Sequence, residues 1–260
     1  MSYSAFDLSG KVALITGGNG GIGLGMAKAV AAAGADVCIW GTRADKNAAA
    51  VEQLQVYGIR AGAYVCDVAD GTAVAARFQE SLAAFGRVDA CFANAGMIVP
   101  PTSFLDMRAE DWQRVIGVNL DGAFHVLQAA SRHMVERAKQ GDAGGRLIAT
   151  ASIAAISGAA RNEHYAATKG ALLSVVSALA VEFARYGITA NALLPGWVET
   201  AMTEDFFNST KFSAAVKSRI PVGRWGNPED FGAIAVYLMS DASAYHTGDT
   251  IRIDGGYCVF

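Results

Sequence analysis

The chain lacks concentrated charge of either sign. Among 260 residues, 21 Lys and Arg face 24 Asp and Glu, a net charge of −3. Nucleic acids and anionic membrane surfaces are held by clustered positive charge, so neither is expected as a partner, and small-molecule chemistry is the default. Cysteine pairs in CxxC spacing are missing. Cys38, Cys66 and Cys91 lie inside or at the end of apolar runs, as small buried hydrophobes would, and Cys258 stands apart near the C-terminus. His125, His133, His164 and His246 are scattered without ligand spacing, so no metal is expected. The N-terminal stretch MSYSAFDLSGK has no basic start followed by an apolar core, and no apolar run reaches the ~20 residues that span a bilayer. The expected location is cytoplasmic.

What is present is apolar and regularly punctuated. With 52% hydrophobic and 17% charged residues the chain can bury a large core, and its length suits one domain, residues 1–260. Apolar or β-branched runs predict strands over Val12–Thr16, Asp36–Trp40, Ala63–Cys66, Val88–Ala93, Arg146–Ala151, Ile188–Leu193 and Asp249–Ile253. Between them, helices are predicted over Gly21–Ala33, Ala44–Tyr57, Asp70–Phe85, Arg108–Ala138, Glu163–Tyr186 and Pro228–Met239. Strands that are apolar throughout are buried on both faces. The expected fold is therefore α/β: a doubly wound, Rossmann-type, seven-stranded and mostly parallel sheet with helices on both faces. Periodicity weakens after Leu194, and the segment at about 199–222 is expected to form a lid over a substrate.

Two motifs carry chemistry. In "TGGNGGIG", Thr16 to Gly23, the glycines are spaced Gly17-x3-Gly21-x-Gly23 directly after the first strand. Such a turn lets backbone approach a pyrophosphate at a helix N-terminus, although a glycine cluster alone also reads as an ordinary βα turn. In "HYAATKGAL", Tyr165 and Lys169 are one helical turn apart on one face. A nearby ammonium favours the phenolate and makes tyrosine usable near neutrality, and Ser152, ending "RLIATAS", can hydrogen-bond a substrate oxygen held against it.

In combination these residues resemble the short-chain dehydrogenase/reductase family over essentially the whole chain, Lys11 to Gly256. The matches run in order: Thr16 to Gly23, Asp67 in "CDV", "NAG" at Asn94 to Gly96, Asn119 in "GVNLDGAF", Ser152, Tyr165-xxx-Lys169, "PGWVET" at Pro195 to Thr200, and "DGG" at Asp254 to Gly256. The resemblance implies an NAD(P)(H)-dependent oxidoreductase interconverting a secondary alcohol and a ketone by hydride transfer. Tyr165 would be the general acid/base, Ser152 would orient the carbonyl, Lys169 would lower the tyrosine pKa and hold the nicotinamide ribose, and Asn119 would position a relay water. A cofactor is expected against Gly17, Asn19, Gly21, Ile22, Gly23, Thr42, Arg43, Asp67, Val68, Asn94, Ala95, Gly96, Tyr165, Lys169, Pro195, Gly196, Val198 and Thr200, and a substrate against Ser152, Tyr165 and Trp197.

Cofactor choice turns on "VCIWGTRADKN". NAD preference usually comes from a carboxylate at the end of the second strand, where this chain has Gly41 followed by Thr42 and Arg43. A guanidinium there can pair with a 2′-phosphate, so NADP(H) is favoured, with NAD(H) as the alternative; Asp45 is near enough to act by another route. The lid segment carries Met202, Phe206, Phe207 and Phe212, which either line an apolar pocket or dock a surface helix. His164 neighbours the tyrosine and either touches substrate or instead supports its neighbours or faces solvent. The chain is also similar to 3-oxoacyl-carrier-protein reductases, for which Arg132 and His133 could meet an acidic partner, but Val181 stands where those relatives commonly carry Arg. A free ketone or alcohol is favoured over a carrier-bound acyl chain. A non-catalytic dinucleotide sensor would be expected to have lost Ser152, Tyr165 or Lys169. The apolar surface of the two longest helices, together with the resemblance, implies a homotetramer.

Overall fold

The structure is a computed structural model describing residues 4–260, so the first three residues of the N-terminal stretch lie outside it. The chain alternates strands and helices: β1 Val12–Thr16, α1 Gly21–Ala32, β2 Asp36–Gly41, α2 Ala44–Gln55, β3 Ala61–Val65, α3 Gly71–Phe85 and β4 Ala90–Ala93. After β4 come α4 Ala109–Ile116, α5 Gly122–Lys139, β5 Gly145–Thr150, α6 Glu163–Phe183 and β6 Ile188–Pro195. Two short helices, α7 Glu204–Asn208 and α8 Thr210–Lys217, precede α9 Gly232–Met239 and β7 Thr250–Ile253.

The seven strands form one sheet in the order β3-β2-β1-β4-β5-β6-β7, and every pairing is parallel. The continuous apolar strands are the cause. Every residue of β1, β4, β5 and β6 is buried, and a strand covered on both faces needs crossover helices above and below it. Successive residues supply the two layers: Leu14 and Trp40 pack with Phe78, Met134 and Leu172 of α3, α5 and α6 on one face. On the other, Ile15 and Ile39 pack with Met26 and Leu238 of α1 and α9. Capping sharpens the joints. The Asp70 carboxylate accepts from the N–H groups of Thr72 and Ala73 at the start of α3, and Gly86, at φ +80°, ends it in the left-handed conformation.

β2 and β3 lie on one side of β1, and β4 to β7 on the other. The order reverses between β1 and β4, and the crevice at their carboxyl ends is where such sheets bind ligands.

Two sequence expectations are corrected. The helix predicted over Arg108–Ala138 is broken: α4 and α5 are joined by a π turn, Gly117–Asp121. The extra residue in that turn lets buried Asn119 reach the backbone of Met97, a tertiary contact with no local sequence signature. In addition, Glu163–Tyr186 is 24 residues long and apolar enough by composition to cross a bilayer, contrary to the expectation that no run is. One stripe of it meets the core, while 28% of its apolar stretch is buried. Thr168, Lys169, Leu172, Val176 and Ala180 are buried against the sheet, and α6 ends in a 3-10 turn leading to β6.

Candidate active site

The ends of three strands are tied together before any ligand is considered. Thr16 Oγ1, closing β1, accepts from the N–H groups of Asn94 and Ala95 at 3.0 Å each. The Asn94 amide returns a bond to the Thr16 carbonyl at 3.0 Å, and Thr150 Oγ1 of β5 donates to Asn94 Oδ1 at 3.1 Å. The glycine turn rests on this platform. Gly17 and Gly21 adopt φ +64° and +50°, conformations that disfavour side chains, and a Cβ on Gly23 would lie 2.3 Å from the Gly17 carbonyl oxygen. The backbone of α1 thereby closes on the turn, and its first N–H groups carry no side-chain cap.

A cavity of about 310 Å³ opens over this turn. It is lined by Gly17, Asn19, Gly21, Ile22 and Gly23, by Asn94 to Gly96, by Ser152, Tyr165 and Lys169, and by Pro195, Gly196, Val198 and Thr200. Segments far apart in sequence thus converge as expected. Glycines too crowded for a Cβ, three strand ends and an uncapped helix N-terminus fit a dinucleotide.

Thr42, Arg43, Asp67 and Val68 do not line the cavity. Arg43 is turned onto Asp45, Nη2 to Oδ2 at 2.9 Å, which holds the Asp45 carboxyl at about 2. The Asp67 carboxylate accepts from the Ala69 N–H, and Val68 is buried beneath Gly122. Sequence reasoning missed Lys46, which lines the cavity, and Asn47, buried in α2. Asn47 accepts from the Asn19 amide at 2.7 Å and donates to the carbonyls of Gly41 and Tyr64 at 3.1 Å each. A Cβ on Gly41 would lie 2.1 Å from Asn19 Nδ2. A side chain at the strand end would therefore have to displace the bonded carboxamides of Asn19 and Asn47.

The reactive groups sit at the cavity's inner end. Ser152, in extended backbone after β5, accepts from the Ala154 N–H and hydrogen-bonds Tyr165. Burial pushes the Tyr165 phenol above its ordinary value, with the Ser152 bond pulling the other way. Lys169 is buried, donates to the Thr150 carbonyl at 2.7 Å, and is held at about 8 by desolvation. Its ammonium lies 5.5 Å from the centre of the Tyr165 ring. At that separation burial outweighs the attraction, so the phenol is raised rather than lowered. Asn119 does not line the cavity; its carboxamide bonds both backbone groups of Met97, and it flanks Gly96 together with Lys169. His164 is buried, and its Nδ1 accepts from the Tyr165 N–H.

A second cavity, of about 410 Å³, shares Ser152, Tyr165, Gly196, Met202 and Thr203 with the first. Trp197 lines it as expected, with Phe206, Phe212 and Tyr257, whereas Phe207 packs on Trp225.

Comparison with known proteins agrees with this architecture. A family model described as Enoyl-(Acyl carrier protein) reductase matches residues 17–258. The chain is 38% identical to a 2-dehydro-3-deoxy-D-gluconate 5-dehydrogenase of Pseudoalteromonas atlantica, over 97% of both chains. It superposes on a short-chain type dehydrogenase/reductase of Mycobacterium marinum with a TM-score of 0.91 at 36% identity, covering 98% of each chain. It also superposes on a gluconate 5-dehydrogenase of Burkholderia cenocepacia in complex with NADP and tartrate, with a TM-score of 0.92 at 35% identity over 99% and 98% of the chains. The chain belongs to the short-chain dehydrogenase/reductase family and is an NAD(P)-dependent oxidoreductase of the secondary alcohol and ketone couple.

Proposed function

We propose that the enzyme prefers NADP(H) to NAD(H) and that Tyr165 is its general acid/base. The observation that carries the second statement is that Ser152 and Tyr165 wall both cavities, so a substrate oxygen and a bound nicotinamide would meet there. Bound in the first cavity, a nicotinamide gives or takes hydride at its C4. In the reductive direction the Ser152 hydroxyl donates to the carbonyl oxygen and Tyr165 delivers its proton as that oxygen becomes an alkoxide. In the oxidative direction Tyr165 takes the proton back. Lys169, charged below about pH 8, holds ribose hydroxyls and favours the phenolate over what burial alone would allow. Asn119 holds the loop that carries Gly96.

NADP(H) preference is supported by Gly41, which offers the ribose no carboxylate at the end of β2, and by Lys46 on the cavity wall. Arg43 would join Lys46 at a 2′-phosphate by leaving Asp45, an exposed pair of little strength. The named relative bound to NADP is consistent with this. Thr42, Asp67 and Val68 would border the adenosine end. Residues 199–222, containing α7 and α8, would act as the lid.

A free ketone or alcohol is favoured over a carrier-bound acyl chain. The basic patch such a partner would need is weakened because His133 Nε2 accepts from the Val88 N–H within the fold. A homotetramer is supported by Phe124 and Val181, exposed on α5 and α6, and a cytoplasmic setting by four free cysteines. Steady-state assays with NADPH and NADH on one ketone test the cofactor statement. Equal kcat/KM for the two overturns it.

A further inference from the structure

Most polar side chains on the wall of the second cavity already hold a bond within the fold. Thr203 Oγ1 donates to the Val198 carbonyl and accepts from the Thr200 N–H. Ser157 Oγ donates to the Ile153 carbonyl at 2.9 Å, and the Tyr257 hydroxyl accepts from Arg219 at 2.9 Å. Asn162 Oδ1 and Trp197 Nε1 have no partner but are sealed beneath the surface. Ser152 and Tyr165 are used by the reacting carbonyl, which leaves a substrate little beyond the unused valences of the Ser157 and Tyr257 hydroxyls and the Arg161 guanidinium.

The remaining wall is largely apolar, with an aromatic cluster at its centre. Trp197 stands edge-on to Phe206 at 5.9 Å and to Phe212 at 5.2 Å between ring centres, and those two phenylalanines pack on each other at 5.2 Å. Trp225 backs Trp197 at 5.4 Å, so the cluster is anchored in a small core of its own rather than loosely draped. Arg161, the one charged residue on the wall among the described residues, is exposed at the rim. Its backbone has φ +67°, held by Glu163 Oε1 accepting from its N–H and by its carbonyl accepting from Thr102.

From this arrangement we infer that the substrate is a compact alicyclic or aryl ketone, whose ring packs among Trp197, Phe206 and Phe212, and not a ketose or keto-sugar acid. This deepens the proposed function and rests on it. A polyol in this cavity would strip water from its hydroxyls and regain few hydrogen bonds, whereas an apolar ring loses nothing on entry. The 410 Å³ available falls in the range of small-ligand sites.

The test is NADPH oxidation by the purified full-length enzyme with two probe sets. One holds substituted cyclohexanones and acetophenone; the other holds sorbose and 5-keto-gluconate. The inference expects kcat/KM to be at least about 100-fold higher for the ring ketones, since two unpaired hydroxyls each cost about tenfold. Phe206→Ala is expected to raise the KM for a ring ketone about tenfold while NADPH affinity, read by fluorescence titration, stays within about twofold. Sugars turned over as well as ring ketones, or an unchanged KM in Phe206→Ala, would overturn the substrate class and leave the oxidoreductase reading standing. NADPH binding without turnover of either set would overturn both.

Discussion

Asn119 grips Met97 at both of its backbone groups, accepting from its N–H at 2.7 Å and donating to its carbonyl at 2.9 Å. A side chain in the π turn between α4 and α5 thereby takes the place of a strand neighbour for the loop leaving β4. That loop carries Gly96, which has Lys169 on its other flank.

Asn119→Ala should therefore loosen the loop as well as slow the reaction. Two buried backbone groups would lose their partners, at about 1–3 kcal/mol each before rearrangement. Thermal unfolding should move down by several degrees, and NADPH should bind at least a few-fold more weakly. An unchanged melting temperature would show that the contact has no structural weight.

Tyr165→Phe keeps the ring and removes the proton. Turnover should fall by about 10²–10⁴-fold with NADPH affinity nearly intact, measured by stopped assay and fluorescence titration. Retention of near-normal kcat would refute the acid/base assignment.

Lys169 titrates at about 8 in the folded protein against an ordinary value of 10.5, because burial penalises its charge. Between those values the unfolded chain binds a proton that the folded chain does not, so stability rises with pH through that window. The penalty is fully present below about pH 8. Lys169→Met should stabilise the cofactor-free protein at pH 7 by on the order of 2 kcal/mol, less than the full shift because the bond to Thr150 is also lost. Denaturant midpoints of the two proteins should converge toward pH 10.5. A gap independent of pH would point to packing instead of charge.

Lys46→Ala tests the cofactor preference away from the chemistry. Removing one cation from a 2′-phosphate should lower kcat/KM for NADPH about tenfold and leave NADH use within about twofold. The partner experiment, Gly41→Asp alone, should not create an NADH enzyme, since its Cβ would lie 2.6 Å from Asn47 Oδ1 and closer still to Asn19. Combining it with Asn47→Ala and Asn19→Gly should restore room. Efficient NADH use by the single variant would show that the crowding yields readily.

The fold was largely legible in the sequence, for a physical reason that also marks where legibility ended. β1 begins and ends as predicted because Lys11 and Gly17 bracket an unbroken apolar run, and both-face burial made a parallel sheet the consistent solution. β3, rich in Ala and Gly, starts at Ala61 instead of Ala63, since small residues give little contrast with a loop. Local pattern located Tyr165, Lys169 and the glycine turn. It could not reveal that Asn47 turns inward to bond Asn19, because that depends on a neighbour brought close only by folding. Trp197 lies in the "PGWVET" stretch that the sequence singles out, but its aromatic companions required the packing of α7 and α8.

The wall shared by the two cavities has a kinetic corollary. Ser152, Tyr165, Gly196, Met202 and Thr203 face both spaces, so a nicotinamide seated in one would complete the floor of the other. A ketone arriving first would find its cavity open beneath it. Binding would then be ordered, nucleotide before ketone, and the enzyme would meter its second substrate by the occupancy of its first.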